Sequence, residues 1–277
     1  MCGIATITIG NRCRGRVPYP LLRRLCKELI VELTPRGIDA SGIAIINDPE
    51  RAESRVFKKA LRPERFVKRP VFDTVLEDIG PATNFIMMHA RATTVGNTTD
   101  NFNNHPIITE PVVGIHNGTL YNDDYLFHKY ANDFDRGGEV DSEIIFRLYQ
   151  HYIEEGLAPK QAMANAGEEL SGAFTGALVD MRYPHRMVMF KNDRSLCVFR
   201  IPHFDIVIAV SEARFYDNAS RRLGIKAKDT CEYVEDGTGM IFDLNAAERI
   251  TSNVVDFDIP ITPRSYGRAH NAWMAVG

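Results

Sequence analysis

The order in which short apolar runs and helical repeats follow one another constrains this chain more than any single residue does. The first segment sets Ile4, Thr6 and Thr8 against Ala5, Ile7 and Ile9, a period of two that predicts a strand with one or both faces buried. A polar, basic loop follows. Pro20 then opens a helix in which Leu21, Leu22, Leu25, Leu29 and Leu33 recur at intervals of three and four, ending before Pro35. Apolar runs predict strands at 42–46, 55–58, 84–89 and 112–116, with weaker helical patterns at 64–68 and 72–78. Two longer helices are expected at 142–155 and 159–170. Beyond them the pattern predicts strands at 173–180, 186–191, 197–201 and 206–210, a helix at 213–223, and strands at 231–234 and 239–244. Strands lead, helices cluster and strands return. That order suits an α+β layered fold with largely antiparallel sheets better than an alternating βαβ fold.

A length of 277 residues is enough to bury the core of one large domain. The tail from Ile259, with Pro260, Pro263 and Gly267, reads as irregular, so the expected organisation is a domain over 2–258 and a C-terminal tail over 259–277. A formal net charge of −3 with 25% charged residues leaves no excess of positive charge for nucleic acid or an anionic membrane. No apolar run approaches the ~20 residues that span a bilayer, and no charged leader precedes an apolar stretch, so a cytoplasmic protein is expected. Cys2, Cys13, Cys26, Cys197 and Cys231 are odd in number and lack CxxC spacing, which argues against a disulfide framework and a cysteine zinc site.

Cys2 follows the initiator methionine directly. If Met1 is trimmed, one residue carries both a thiol nucleophile and an α-amine able to take its proton, because the amine titrates near ~7.7–8.0 and the thiol near ~8.5. The competing reading is a small apolar residue opening a strand. Other polar clusters also sit at predicted strand ends or turns. Arg36-Gly37-Ile38-Asp39-Ala40-Ser41-Gly42 is a glycine-bounded turn. Arg91, in His89-Ala90-Arg91, offers a planar fork to a carboxylate or is a surface arginine. Asn103-Asn104-His105-Pro106 reads as loop chemistry. His116-Asn117-Gly118 offers an amide side chain and a backbone N–H for an oxyanion, or forms a tight turn. Asp141, ahead of a helix, binds a ligand or caps that helix. The histidines at 89, 105 and 116 lack metal-ligand spacing, so no metal is expected.

Taken together, Cys2-Gly3-Ile4, Arg36-Gly37-x-Asp39-x-Ser41-Gly42, His89-x-Arg91, Asn104-x-Pro106, His116-Asn117-Gly118 and Asp141-Ser142-Glu143 resemble, in order and spacing, the class II glutamine amidotransferase domain. The resemblance covers roughly residues 2–245. It implies a four-layer αββα sandwich of two antiparallel sheets, the N-terminal nucleophile hydrolase fold. It also implies hydrolysis of L-glutamine to glutamate and ammonia through a thioester on Cys2, with no cofactor. By the same resemblance Asn117 and Gly118 hold the oxyanion, Arg91 pairs with the substrate carboxylate and Asp141 with its ammonium. Arg36 supports the loop beside the nucleophile, and Thr94 lines the pocket. The chain departs from the pattern at Ala92, where many members carry tryptophan, and at Val95, where some carry histidine. Val210-Ser211-Glu212 resembles a late segment of several members, with no role attached.

Some thirty residues follow the resembling region, so the ammonia acceptor is expected to be a separate synthetase or transferase partner. Two alternatives stand beside this reading: an N-terminal-cysteine hydrolase of another amide, and a non-catalytic binding protein with the same fold. Oligomeric state is left open.

Overall fold

Alternation along each strand decides which of three apolar cores its side chains enter. In the computed structural model, which describes residues 1–225 and 231–260, Ala5 and Ile7 of the first strand turn to one side and Ile4 to the other, into separate clusters. The seven-stranded sheet runs in the order β11 (Glu232–Tyr233), β9 (Cys197–Ile201), β10 (Ile206–Val210), β1 (Gly3–Ile9), β4 (Thr83–Arg91), β2 (Ala40–Asn47), β3 (Arg55–Lys59). The six-stranded sheet runs β13 (Val255–Asp258), β12 (Thr238–Asp243), β8 (Arg186–Asn192), β7 (Gly172–Asp180), β6 (Val112–Leu120), β5 (Ile107–Ile108). All pairings are antiparallel.

Helices α1 (Tyr19–Glu32), α2 (Pro63–Phe66), α3 (Pro70–Glu77) and α7 (Ala213–Arg222) cover the outer face of the first sheet. Their Leu25, Leu29, Phe66, Phe72 and Phe215 meet Ile7, Ile43, Ile86 and Ile208. Helices α4 (Asp123–Lys129), α5 (Glu143–Glu154) and α6 (Pro159–Glu169) cover the second sheet through Leu126, Ile144, Leu148 and Met163 against Phe174, Leu178 and Val188. Between the sheets, Ile4, Ala44, Phe85 and Met87 pack on Val113, Ile115, Val179 and Met189. The result is the expected αββα sandwich. Each such fully buried aliphatic side chain contributes about 1.5–3 kcal/mol of transfer free energy, so the three layers of apolar contact hold the stack together.

Several expected boundaries move. β6 does not stop at His116 but continues through Asn117 and Gly118 to Leu120, because β7 supplies paired partners as far as Gly172. The tight turn considered for Asn117-Gly118 is therefore absent. Helix α4 and strands β5 and β13 were not expected. Ile259, at the head of the predicted tail, is buried in the α5–α6 core and its N–H donates to the Gly237 carbonyl at 2.7 Å. Residues 261–277 of that tail lie outside the described residues. Among those described, no helix is long and apolar enough to cross a membrane.

Candidate active site

At one end of the inter-sheet layer the apolar residues give way to polar ones. Along β4, Phe85 and Met87 face the other sheet, and the same alternation carries His89 and Arg91 to that side. Beside them Cys2 precedes β1. Its segment is tied to the end of β10, since Ile4 N–H donates to Ser211 Oγ at 2.9 Å and Ser211 N–H donates to the Ile4 carbonyl at 3.0 Å. Arg36 holds the other side, donating from Nε to the Cys2 carbonyl at 3.3 Å and from Nη1 to Glu212 at 3.1 Å. Arg36 thus sits behind Cys2. Ser211 and Glu212, a segment whose sequence suggested no role, are the partners that complete this clamp.

The loop 36–39 lies against the end of β4. A Cβ on Gly37 would fall 2.4 Å from the Arg91 carbonyl carbon, so no larger residue fits that crossing. Asp39 then accepts from Thr93 N–H at 2.7 Å, fixing the start of the loop that follows Arg91. The Cys2 thiol points to the Ala92 carbonyl at 3.6 Å. Burial raises its pKa, and this outweighs the opposing influence of the Ala92 contact and nearby positive charge, so the resting group is the thiol.

Cys2 opens on a small cavity of about 20 Å³ whose wall includes Arg91, Thr94, His105, Gly118 and Asp141. Arg91 is 3% exposed. It donates to Asn104 Oδ1 at 2.8 Å and to the Val95 and Gly96 carbonyls, and it has no ion pair among the described residues. Burial pulls its pKa down, while nearby carboxylates including Asp39 and Asp141 oppose the shift. Asp141 is also buried and unpaired by any cation among the described residues. One of its oxygens accepts from Leu120 N–H at 2.7 Å, joining it to the end of β6. It does not cap the following helix, whose cap position is Ser142.

β6 brings the amide. Asn117 has no exposed surface, and neither Oδ1 nor Nδ2 finds a hydrogen-bond partner. Gly118 lines the cavity next to it, and a Cβ there would lie 1.8 Å from the Ala173 carbonyl oxygen. The neighbouring His116 is held by Ser142 Oγ at 2.8 Å and the Ala173 carbonyl at 3.2 Å. His89 contacts the His116 carbonyl at 3.0 Å and stacks on His105 with centroids 4.0 Å apart. Burial lowers the pKa of all three rings, that of His89 to about 3, so they are neutral at neutral pH, with His105 leaving both ring nitrogens without a partner. Motif reading missed Ser142 as a partner of His116. Its adjacency to Asp141 in the helix-entry cluster was the available signal.

The structure therefore brings Cys2, Arg91, Thr94, Gly118 and Asp141 to one cavity, sets Asn117 in the strand beside it, and leaves Arg36 behind Cys2. Chemically this is a thiol facing a lone cation and a lone carboxylate, with an unpartnered amide beside them.

No family model matches the chain. Glutamine–fructose-6-phosphate aminotransferase (isomerizing) of Streptococcus mutans is 27% identical over 256 residues, 90% of this chain and 38% of the relative. The same enzyme of Bartonella henselae is 27% identical over 268 residues, 95% of this chain and 39% of the relative. The chain thus spans under two-fifths of the length of these curated relatives. Among solved structures, glutamine phosphoribosylpyrophosphate amidotransferase from B. subtilis superposes with a TM-score of 0.65 at 16% identity, over 94% of this chain and 50% of that one. That likeness is one of fold.

Proposed function

We propose that the chain, which is similar in sequence and fold to glutamine amidotransferases, is a class II glutamine amidotransferase domain that hydrolyses L-glutamine to glutamate and ammonia through a γ-glutamyl thioester on Cys2. Removal of Met1 frees the Cys2 α-amine. The amine takes the thiol proton as Sγ attacks the side-chain amide carbon, which removes any need for a thiolate that burial disfavours. The tetrahedral oxyanion rests on Asn117 Nδ2 and the Gly118 N–H. Collapse expels ammonia, which carries away the proton held by the amine. Water then attacks the thioester with the same amine as base, and glutamate leaves.

The observation that carries this reading is the Asn117 amide. A buried polar group without a partner costs about 1–3 kcal/mol, and here both atoms of one amide are left open beside the nucleophile's cavity. A donor held ready for charge that develops only in the transition state accounts for that cost. Arg91 and Asp141 supply one partner for each charged end of a free amino acid, which favours glutamine over amides lacking those ends. Ammonia is passed on to an acceptor synthetase or transferase carried by a separate protein.

Cys2→Ala tests the reading directly. Ammonia release from glutamine should vanish while the melting temperature stays within about two degrees of the parent, and surviving turnover would move the nucleophile elsewhere. Co-purification of the native protein with an ATP-using synthetase or a transferase would support the separate acceptor, and glutamine hydrolysis that no added partner alters would count against it.

A further inference from the structure

The cavity's cation is held in place from a strand that no catalytic argument has touched. Lys58, on the edge strand β3, pairs in register with Gly42 of β2. At that pair the backbone 104–106 lies down on the sheet. A Cβ on Gly42 would fall 2.0 Å from the His105 carbonyl oxygen, so glycine makes the close approach. Lys58 rises beside it and donates from Nζ to the Asn104 carbonyl and the Pro106 carbonyl, each at 2.8 Å. Lys58 thus bonds two carbonyls of a segment whose close approach Gly42 permits.

A carboxylate is the usual partner for a lysine drawn into the protein, yet Lys58 forms no ion pair among the described residues. Burial pulls its pKa down to about 8, with the charge of Asp100 opposing the shift. Its two carbonyl bonds are what its charge receives in return for lost hydration. Asn104, which those bonds hold, is fully buried. Its Nδ2 donates to Thr98 at 2.7 Å, and its Oδ1 receives Arg91 Nη1 at 2.8 Å. A continuous chain of contacts runs from Lys58 through Asn104 to the Arg91 guanidinium.

We propose that Lys58 is a positioning residue for substrate selection: it seats the 104–106 backbone so that Asn104 aims Arg91 at the α-carboxylate of glutamine. The inference rests on Arg91 being the carboxylate partner, and its test separates the two claims. KM and kcat for glutamine are measured for the parent, Lys58→Met, Arg91→Ala and the double variant. Lys58→Met should raise KM roughly 2- to 30-fold, the range of coupling passed through a neighbour, with kcat changed much less, and Lys58→Arg should restore most of the loss. In the Arg91→Ala background, Lys58→Met should add nothing further, because its route of action is gone.

An unchanged KM in Arg91→Ala would remove the carboxylate assignment itself. A normal KM in Lys58→Met, or the same KM rise with and without Arg91, would overturn the role of Lys58 while leaving that assignment intact. Should Lys58→Met fail to fold, as read by its melting curve, Lys58→Gln carries the same cycle with the same criteria.

Discussion

Asn117 is the residue at which stability and activity are expected to part. Its amide is enclosed with no partner, so truncation removes no hydrogen bond from the folded state and relieves two unsatisfied groups. Asn117→Ala should therefore keep or raise the melting temperature while kcat falls by ~10²–10³, the usual loss for one oxyanion donor. A fall in both together would make the amide structural. Gly118→Ala should behave differently, since its Cβ would lie 1.8 Å from the Ala173 carbonyl oxygen. Expression and melting temperature should both suffer. At this scale the sequence displayed residue types well and contacts poorly. Asp141 had the look of a helix cap, but its carboxylate reaches the Leu120 N–H, a pairing between distant segments that no local pattern encodes. Arg36 carried the motif, whereas its partner Glu212 lies far along the chain.

Among the elements, the junction of β1 with β10 and loop 36–39 decides where Cys2 sits. Ser211 ties Ile4, and Arg36 ties the Cys2 carbonyl while paired with Glu212. Glu212→Gln should leave the fold intact and lower kcat/KM about 3- to 30-fold, the scale of a 1-Å-class misplacement partly absorbed by neighbours. An unchanged kcat/KM would show that the clamp is dispensable. Strands with alternating or continuous apolar runs, such as β1 and β10, were readable because both sides of each are buried by different layers. Shorter pieces were not. β13 spans only Val255–Asp258, and α4 packs just two buried side chains, Leu126 and Phe127, so neither has enough period to stand out. β6 misled for another reason: Asn-Gly favours a turn locally, and pairing with Thr175 and Phe174 of β7 overrides that preference.

At the scale of the molecule, the cluster of Cys2, His89, Arg91, His116 and Asn117 lies at one end of the layer between the sheets, where β1, β4 and β6 meet. Fold class was legible from the sequence because element order limits how layers stack. That these three strand ends meet followed from the resemblance alone, since register between distant strands has no short-range signature. Burying His89, His105 and His116 as neutral rings has a consequence for the entire fold. Their pKa values are lowered on folding, to about 3 for His89. The unfolded chain, titrating near ~6.5, therefore binds more protons as pH falls. The stability they permit is fully present above that value and is lost progressively from about pH 6.5 towards pH 3. Thermal melts from pH 7 to pH 4 should show a steady decline, steeper than in His105→Gln at matched pH. Parallel declines would place the acid sensitivity in other groups.

Mass analysis of protein inactivated with 6-diazo-5-oxo-L-norleucine tests the central claim most directly. The account predicts loss of Met1 and one adduct per chain, located on the Cys2 peptide and appearing in step with loss of glutamine hydrolysis. An adduct on Cys13, Cys26, Cys197 or Cys231, or fully active protein that still begins with Met1, would contradict it.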